Sequence, residues 1–202
     1  GARMVKVLYI DCCIRREESR TRILAEAFLA ALQAKGAYQV ERLCLMDEPL
    51  VPLSEGFFAQ RERLLAENNR SHPRFRYAHQ FSQADRVVVA APFWDLGFPA
   101  LLKLYIENIC LDGITFGVDE HGTHGLCKAE RLLFLTTRGG SYNNSPLEMG
   151  ARYLEALCQF WGIPRFDVVA ADGLDLGRED VKTTLDRAIE DAIFYNLIGS
   201  TN

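Results

Sequence analysis

Short apolar runs alternate with longer amphipathic stretches along this chain. Residues 4–10 (MVKVLYI) are rich in β-formers and lead into a polar loop. Over residues 19–35 the apolar positions Ile23, Leu24, Ala27, Phe28, Ala31 and Leu32 recur at helical spacing, and Gly36 supplies a stop. Residues 38–45 predict a second strand, ended by Asp47-Glu48-Pro49. Residues 54–83 have a charged, helical composition broken by Pro73. The run RVVVAA at 86–91 is the plainest buried strand, β-branched and closed by Pro92. A helix follows over 99–110, with Leu101, Leu102, Tyr105, Ile106 and Ile109 on one side. Residues 114–126 carry three glycines and predict an irregular excursion or a hairpin. A strand over 131–136, a helix over 146–161, a strand over 166–170 and a helix over 179–197 complete the pattern.

Strand and helix alternating about five times predict an α/β fold: a doubly wound, five-stranded parallel sheet with helices on both faces. The chain of 202 residues suits a single domain, read as 4–202, with Gly1, Ala2 and Arg3 before Met4 read as a tag remnant. A net charge of −4 and the lack of a dense Lys/Arg block argue against nucleic acid as a partner. No apolar run approaches the roughly 20 residues that span a bilayer, and no signal-peptide stretch opens the chain, so no membrane partner and a cytoplasmic location are expected. The six cysteines (12, 13, 44, 110, 127 and 158) form no C-x-x-C pair and read as reduced small hydrophobes. His121, His124 and Cys127 are spaced by three, but the intervening glycines suggest a turn and no fourth ligand is evident, so no metal is expected.

In such a sheet ligands bind outside the carboxyl ends of the strands, near the point where strand order reverses. That rule selects three loops. The first brings Ser19, Arg20 and Thr21 to a helix start, where hydroxyls and free N–H groups suit an anion such as phosphate, with Arg15, Arg16 and Arg22 nearby. Simple capping by Ser19 fits the same residues equally well. Neither G-x-G-x-x-G nor G-x-x-x-x-G-K-[ST] follows the first strand, which excludes the dinucleotide fingerprint and the P-loop. The second loop, residues 91–99, contains Pro92, Phe93, Trp94, Asp95 and Leu96 directly after a buried strand and could wall a planar heterocycle. The third, residues 136–146, holds Thr137, Arg138, Gly139 and Gly140; the glycine pair lets backbone N–H groups approach a ligand, although a plain turn would use the same residues.

Two segments carry a resemblance: APFWDLGFPALLKLYIENICLDGITF and TTRGGSYNNSP. The first is similar to the Ala-Pro-Met-Tyr-Asn-Phe segment, following helix and Gly-x-Thr-Phe turn of the FMN-dependent NADH:quinone oxidoreductases and azoreductases, within the flavodoxin-like superfamily. The second resembles that family's Ser-Arg-Gly-Gly loop. The resemblance implies FMN, with Ser19, Arg20 and Thr21 at its phosphate and Cys12 where the family usually has a serine in the same pocket. It places Pro92, Phe93, Trp94, Asp95 and Leu96 along the isoalloxazine and Thr137, Arg138, Gly139 and Gly140 at its pyrimidine end. It also implies a homodimer with the flavin at the interface, and a two-step cycle. NADH or NADPH gives a hydride to the flavin N5 and leaves, and a quinone, azo compound or other flat acceptor then takes two electrons, so that no side chain acts as a catalytic acid, base or nucleophile.

Tyr142, Phe57, Phe58 and Phe116 are candidates to line the acceptor pocket, with core packing an equal reading for each. Three positions depart from the family pattern: Tyr142 stands where many members have histidine, Asp95 where asparagine is usual, and Cys12 for serine. A flavodoxin-type electron carrier and a non-catalytic flavin-binding sensor share the fold and remain alternatives.

Overall fold

The computed structural model describes residues 3–197. The sequence readings that concern residues 1, 2 and 198–202 lie outside the described residues. Five parallel strands form the central sheet in the order β2-β1-β3-β6-β7: β1 (Val5–Asp11), β2 (Tyr38–Cys44), β3 (Arg86–Ala90), β6 (Arg131–Thr137) and β7 (Arg165–Ala171). Helices α1 (Arg20–Gln33), α2 (Glu55–Ala66), α3 (Arg76–Gln83), α4 (Ala100–Ile109), α5 (Met149–Trp161) and α6 (Val181–Leu197) connect or flank them. The expected doubly wound sheet is therefore present.

Side-chain alternation along the strands builds two apolar layers. Leu8, Ile10, Val87, Val89, Leu132 and Phe134 face α3, α4 and α5, where Phe81, Tyr105, Ile106, Leu154 and Trp161 meet them. Val7, Tyr9, Val88, Ala90, Leu133 and Leu135 face α1 and α6, packing on Leu24, Phe28, Leu185 and Ala188. The three inner strands are buried on both faces, which explains their continuous apolar runs.

The charged region divides into α2 and α3, but α2 ends at Ala66, before Pro73, which instead opens the 3-10 turn Pro73–Phe75 that leads into α3. The glycine-rich stretch is a hairpin, β4 (Phe116–Asp119) with β5 (Gly122–Gly125). Helix α5 begins at Met149, three residues later than the sequence pattern suggests, because the Glu148 carboxylate caps it by accepting the Ala151 N–H at 3.0 Å.

Chain order reverses direction across the sheet between β1 and β3: β1 leads outward to β2, and the chain then returns to β3 on its other side. The loops that leave β1, β3 and β6 consequently open a crevice at one end of the sheet.

Candidate functional site

Three of the loops selected from the sequence converge on one cleft of about 220 Å³, lined by Ser19, Arg20, Thr21, Pro92, Phe93, Trp94, Thr137 and Gly139, together with Ile14, Arg15 and Asp175. Each loop is fixed by bonds to its neighbours. The N–H of Cys12 donates to the Ala90 carbonyl at 2.8 Å, that of Phe93 to Thr137 at 3.1 Å, and that of Arg138 to Ala171 at 2.9 Å.

The first loop turns on a buried ion pair. Asp11 ends β1 and is 5% exposed; its carboxylate accepts the Cys13 N–H at 2.9 Å and two Arg22 guanidinium bonds at 3.0 and 2.6 Å. Burial pulls the Arg22 guanidinium down, but the bond and charge of Asp11 outweigh it and hold it above its ordinary value. This pair anchors the start of α1 beneath the cleft. Ser19 caps the helix, its Oγ accepting the Arg22 N–H at 3.2 Å. The N–H groups of Arg20 and Thr21 precede the first intrahelical bond and point out of the helix start, so capping and anion binding coexist there. The hydroxyls of Thr21 and Thr137 are 2.6 Å apart, tying loop one to loop three.

In the second loop Trp94 and Gly97 exchange backbone bonds of 3.2 and 2.8 Å across a two-residue turn, with Asp95 at φ +52° and Leu96 at φ +66°. Both residues occupy the left-handed region, which a leucine rarely adopts. The α5 start holds this turn, since the Met149 N–H donates to the Leu96 carbonyl at 2.8 Å. Phe93 lies at the cleft wall with its ring 4.7 Å from that of Tyr142. Asp95 and Leu96 form the exposed tip beside the cleft rather than its lining.

The third loop is held by Arg138, which is 4% exposed. Its guanidinium meets Glu148 at 2.6 Å, Asn143 at 3.0 Å and Asp172 at 3.3 Å. Asp172 in turn accepts the Tyr142 N–H at 3.0 Å. Both terminal nitrogens of Arg138 are thus engaged within the protein, while its Nε is buried without a hydrogen-bond partner among the described residues. A Cβ at Gly140 would come within 2.9 Å of the Tyr142 ring, and one at Gly139 within 2.1 Å of an Asp175 oxygen, so a larger residue at either position would displace that side chain. The N–H groups of Gly139, Gly140 and Ser141 make no bond to another described backbone group.

Arg138 and Tyr142 line a neighbouring pocket, and four candidates lie farther away. Cys12 is fully buried in the apolar layer under α4, where burial pushes its thiol up to about 12; it sits in the core and not in the cleft, because the side chain after Asp11 falls on the α4 face of the sheet. Phe57 and Phe58 lie on α2 beneath the guanidinium groups of Arg74 and Arg61. Phe116 packs on Phe160 at 4.6 Å at the root of the hairpin. Among the described residues no three His, Cys, Asp or Glu side chains form a metal-holding group. Sequence reasoning missed Glu148, Asp172 and Asp175. The carboxyl-end rule, extended to the loop after β7, would have found the two aspartates.

This geometry defines a flavodoxin-like protein: the family described as "Flavodoxin-like fold" matches residues 5–193. Closer relatives narrow the class. The FMN-dependent NADH:quinone oxidoreductase 2 of Clostridium acetobutylicum is 39% identical over 194 residues, covering 94% of this chain and 96% of that protein. The FMN-dependent NADH:quinone oxidoreductase of Caldicellulosiruptor saccharolyticus is 35% identical over the same shares. Among solved structures, an azoreductase from Bacillus anthracis superposes with a TM-score of 0.84 at 27% identity, over 95% of this chain and 98% of that one. An FMN-dependent NADH-azoreductase of the same species, solved with FMN, shares the fold at 23% identity with a TM-score of 0.83, over 95% and 97%. The chain belongs to the family of FMN-dependent NADH:quinone oxidoreductases and azoreductases.

Proposed function

We propose that this chain is an FMN-dependent NAD(P)H oxidoreductase that reduces a quinone, an azo compound or a similar flat acceptor. One observation carries the reading. An anion-ready helix start, an aromatic wall and the Gly139 end of the third loop meet in one cleft at the switch point, in a chain whose relatives are FMN-dependent oxidoreductases. When bound, FMN would supply two-electron redox chemistry between the nicotinamide and the acceptor, which we propose bind in turn in a ping-pong order.

The residues present fit the cofactor. Ser19, Arg20 and Thr21 would hold its phosphate at the α1 start, through N–H groups, a hydroxyl and one guanidinium. Pro92, Phe93 and Trp94 would flank its ring system, with Asp95 and Leu96 at the edge. Thr137, Gly139 and Gly140 would donate backbone bonds at the pyrimidine end, on a loop whose shape Arg138 fixes. Cys12 is left to the core. Tyr142, braced by Asp172 and with its ring tilted against that of Phe93, would form one wall for a flat acceptor.

We further propose a homodimer. The cleft is smaller than the ~300–1,000 Å³ usual for ligand pockets, so a second copy could complete it. Exposed Trp94, Leu96, Leu147 and Met149 cluster beside its mouth, an apolar set that a partner copy would cover. All six cysteines are unpaired, which suits a reducing cytoplasm, and no helix among the described residues is long and apolar enough to cross a membrane.

The test is the visible spectrum of the purified protein before and after anaerobic NADH. Bands near about 370 and 450 nm that bleach within the mixing time, and return on adding a quinone, support the reading. Bands that persist with NADH leave the carrier or sensor alternatives. A protein that stays colourless after FMN is supplied overturns it.

A further inference from the structure

Asp175 stands in the loop after β7, and one of its carboxylate oxygens takes Arg20 Nη1 at 2.9 Å. The other lies over Gly139, where it would meet an added Cβ at 2.1 Å. Its own N–H donates to the Gly139 carbonyl at 3.0 Å, which fixes the backbone beneath the carboxylate. The carboxylate therefore bridges the α1 start and the third loop, at the end of the cleft where Ser19 and Thr21 offer an anion site. Arg20 is the cleft-lining guanidinium closest to those donors in the chain, and in this structure it is paired. The other lining cation, Arg15, pairs with Glu18 at 3.2 Å. Of the two lining cations, Arg20 is thus countered by a carboxylate that lines the same cleft, and Arg15 by one outside it.

We propose that Asp175 is an internal competitor for the phosphate of the cofactor: it holds Arg20 Nη1, shares that guanidinium's charge with any phosphate at the α1 start, and so sets how strongly the protein prefers FMN over flavins without a phosphate. The inference rests on the FMN reading above. Two terms give its sign. A dianionic phosphate entering the α1 start finds a fixed negative charge lining the same cleft, which disfavours it. It also meets an Arg20 guanidinium whose Nη1 is already turned to Asp175, so the arginine's charge is shared between two anions. Both costs vanish when residue 175 is neutral. The pair is part-exposed, with side chains 32% and 66% accessible, so the gain is limited by screening.

The experiment measures dissociation constants of FMN and riboflavin by quenching of flavin fluorescence, on the wild-type apoprotein and on Asp175→Asn and Asp175→Ser. FMN should bind about two- to fivefold tighter to both variants in low salt, and the gain should shrink in 0.5 M NaCl, an ionic strength chosen to compress the Debye length to about 4 Å. Riboflavin affinity should not move. In an Arg20→Gln background the gain from Asp175→Asn should be smaller. An FMN affinity that is unchanged or weaker in both variants, or a change equal for FMN and riboflavin, overturns the proposal, because the carboxylate then only shapes the loop. A wild-type protein that binds neither flavin overturns the proposed function and this inference with it. Normal wild-type binding with no response at residue 175 overturns this inference alone.

Discussion

Replacing Arg138 by methionine tests how the third loop is held. The guanidinium is 5% accessible and faces Glu148 and Asp172, themselves 6% and 8% accessible. Methionine fills most of the volume but leaves two carboxylates in a dry setting. Removing one partner of a buried ionic cluster costs about 3–5 kcal/mol, since the charge left behind keeps its desolvation cost and loses its compensation. Two remaining contacts soften the loss, the Ala151 N–H on Glu148 and the Tyr142 N–H on Asp172. At about 2–4 °C per kcal/mol for a chain of this size, the midpoint should fall by roughly 6–20 °C. Thermal unfolding of the apoprotein at neutral pH, followed by circular dichroism, measures this. The triple variant Arg138→Met with Glu148→Gln and Asp172→Asn should recover part of the loss by discharging the cluster. A single variant within about 2 °C of wild type, or a triple variant that melts lower by the sum of its parts, would refute the reasoning.

Leu96→Gly should raise the midpoint by about 1–4 °C: left-handed backbone costs a leucine roughly 1–2 kcal/mol, and the added freedom of unfolded glycine returns about half of that. A lower midpoint would show that the exposed side chain is worth more than the strain. Asp95→Asn should raise the flavin reduction potential by at most a few tens of mV, because a carboxylate at the cleft edge disfavours an anionic reduced ring and both residues tolerate the left-handed tip. An unchanged potential in a redox titration counts against it.

Burial opposes ionisation of Asp85, but the Lys6 N–H, the Lys128 ammonium and Arg3 more than offset it and hold the carboxyl below its ordinary value. Its stabilisation is complete above the unfolded value of about 3.9 and is lost as pH falls through the lower folded one. Asp85→Asn should therefore be less stable than wild type at neutral pH, with the gap closing below pH 4; urea midpoints across that range that keep a constant gap would contradict this.

The fold was legible because the inner strands are buried on both faces, so RVVVA and RLLFLTT announce themselves without regard to context. The three site loops were legible from position alone, since the carboxyl-end rule needs only strand order. Sequence could not reveal which side chains turn inward. Cys12 follows the last residue of β1 and drops into the core, and Arg138 is drawn from the cleft by carboxylates ten and 34 residues further along the chain. Asp175 is a loop aspartate among turn residues, and only the fold brings it to Arg20, 155 positions away in sequence. Long-range ion pairing leaves no periodic trace in a sequence.

The lacing of the rim has a consequence for how such a scaffold diversifies. Phe93 donates to Thr137, Arg138 to Ala171, Gly173 to Gly140 and Met149 to Leu96, all through main-chain groups that every residue except proline can supply. The frame of the cleft is therefore largely indifferent to side-chain identity at Trp94 and Tyr142, whereas Asp95, at φ +52°, is confined to residues that tolerate the left-handed region. Mutation can sample new aromatic or hydroxyl-bearing surfaces there without first rebuilding the rim, so the lining of the cleft can drift while the left-handed tip and the buried ionic cluster stay under constraint.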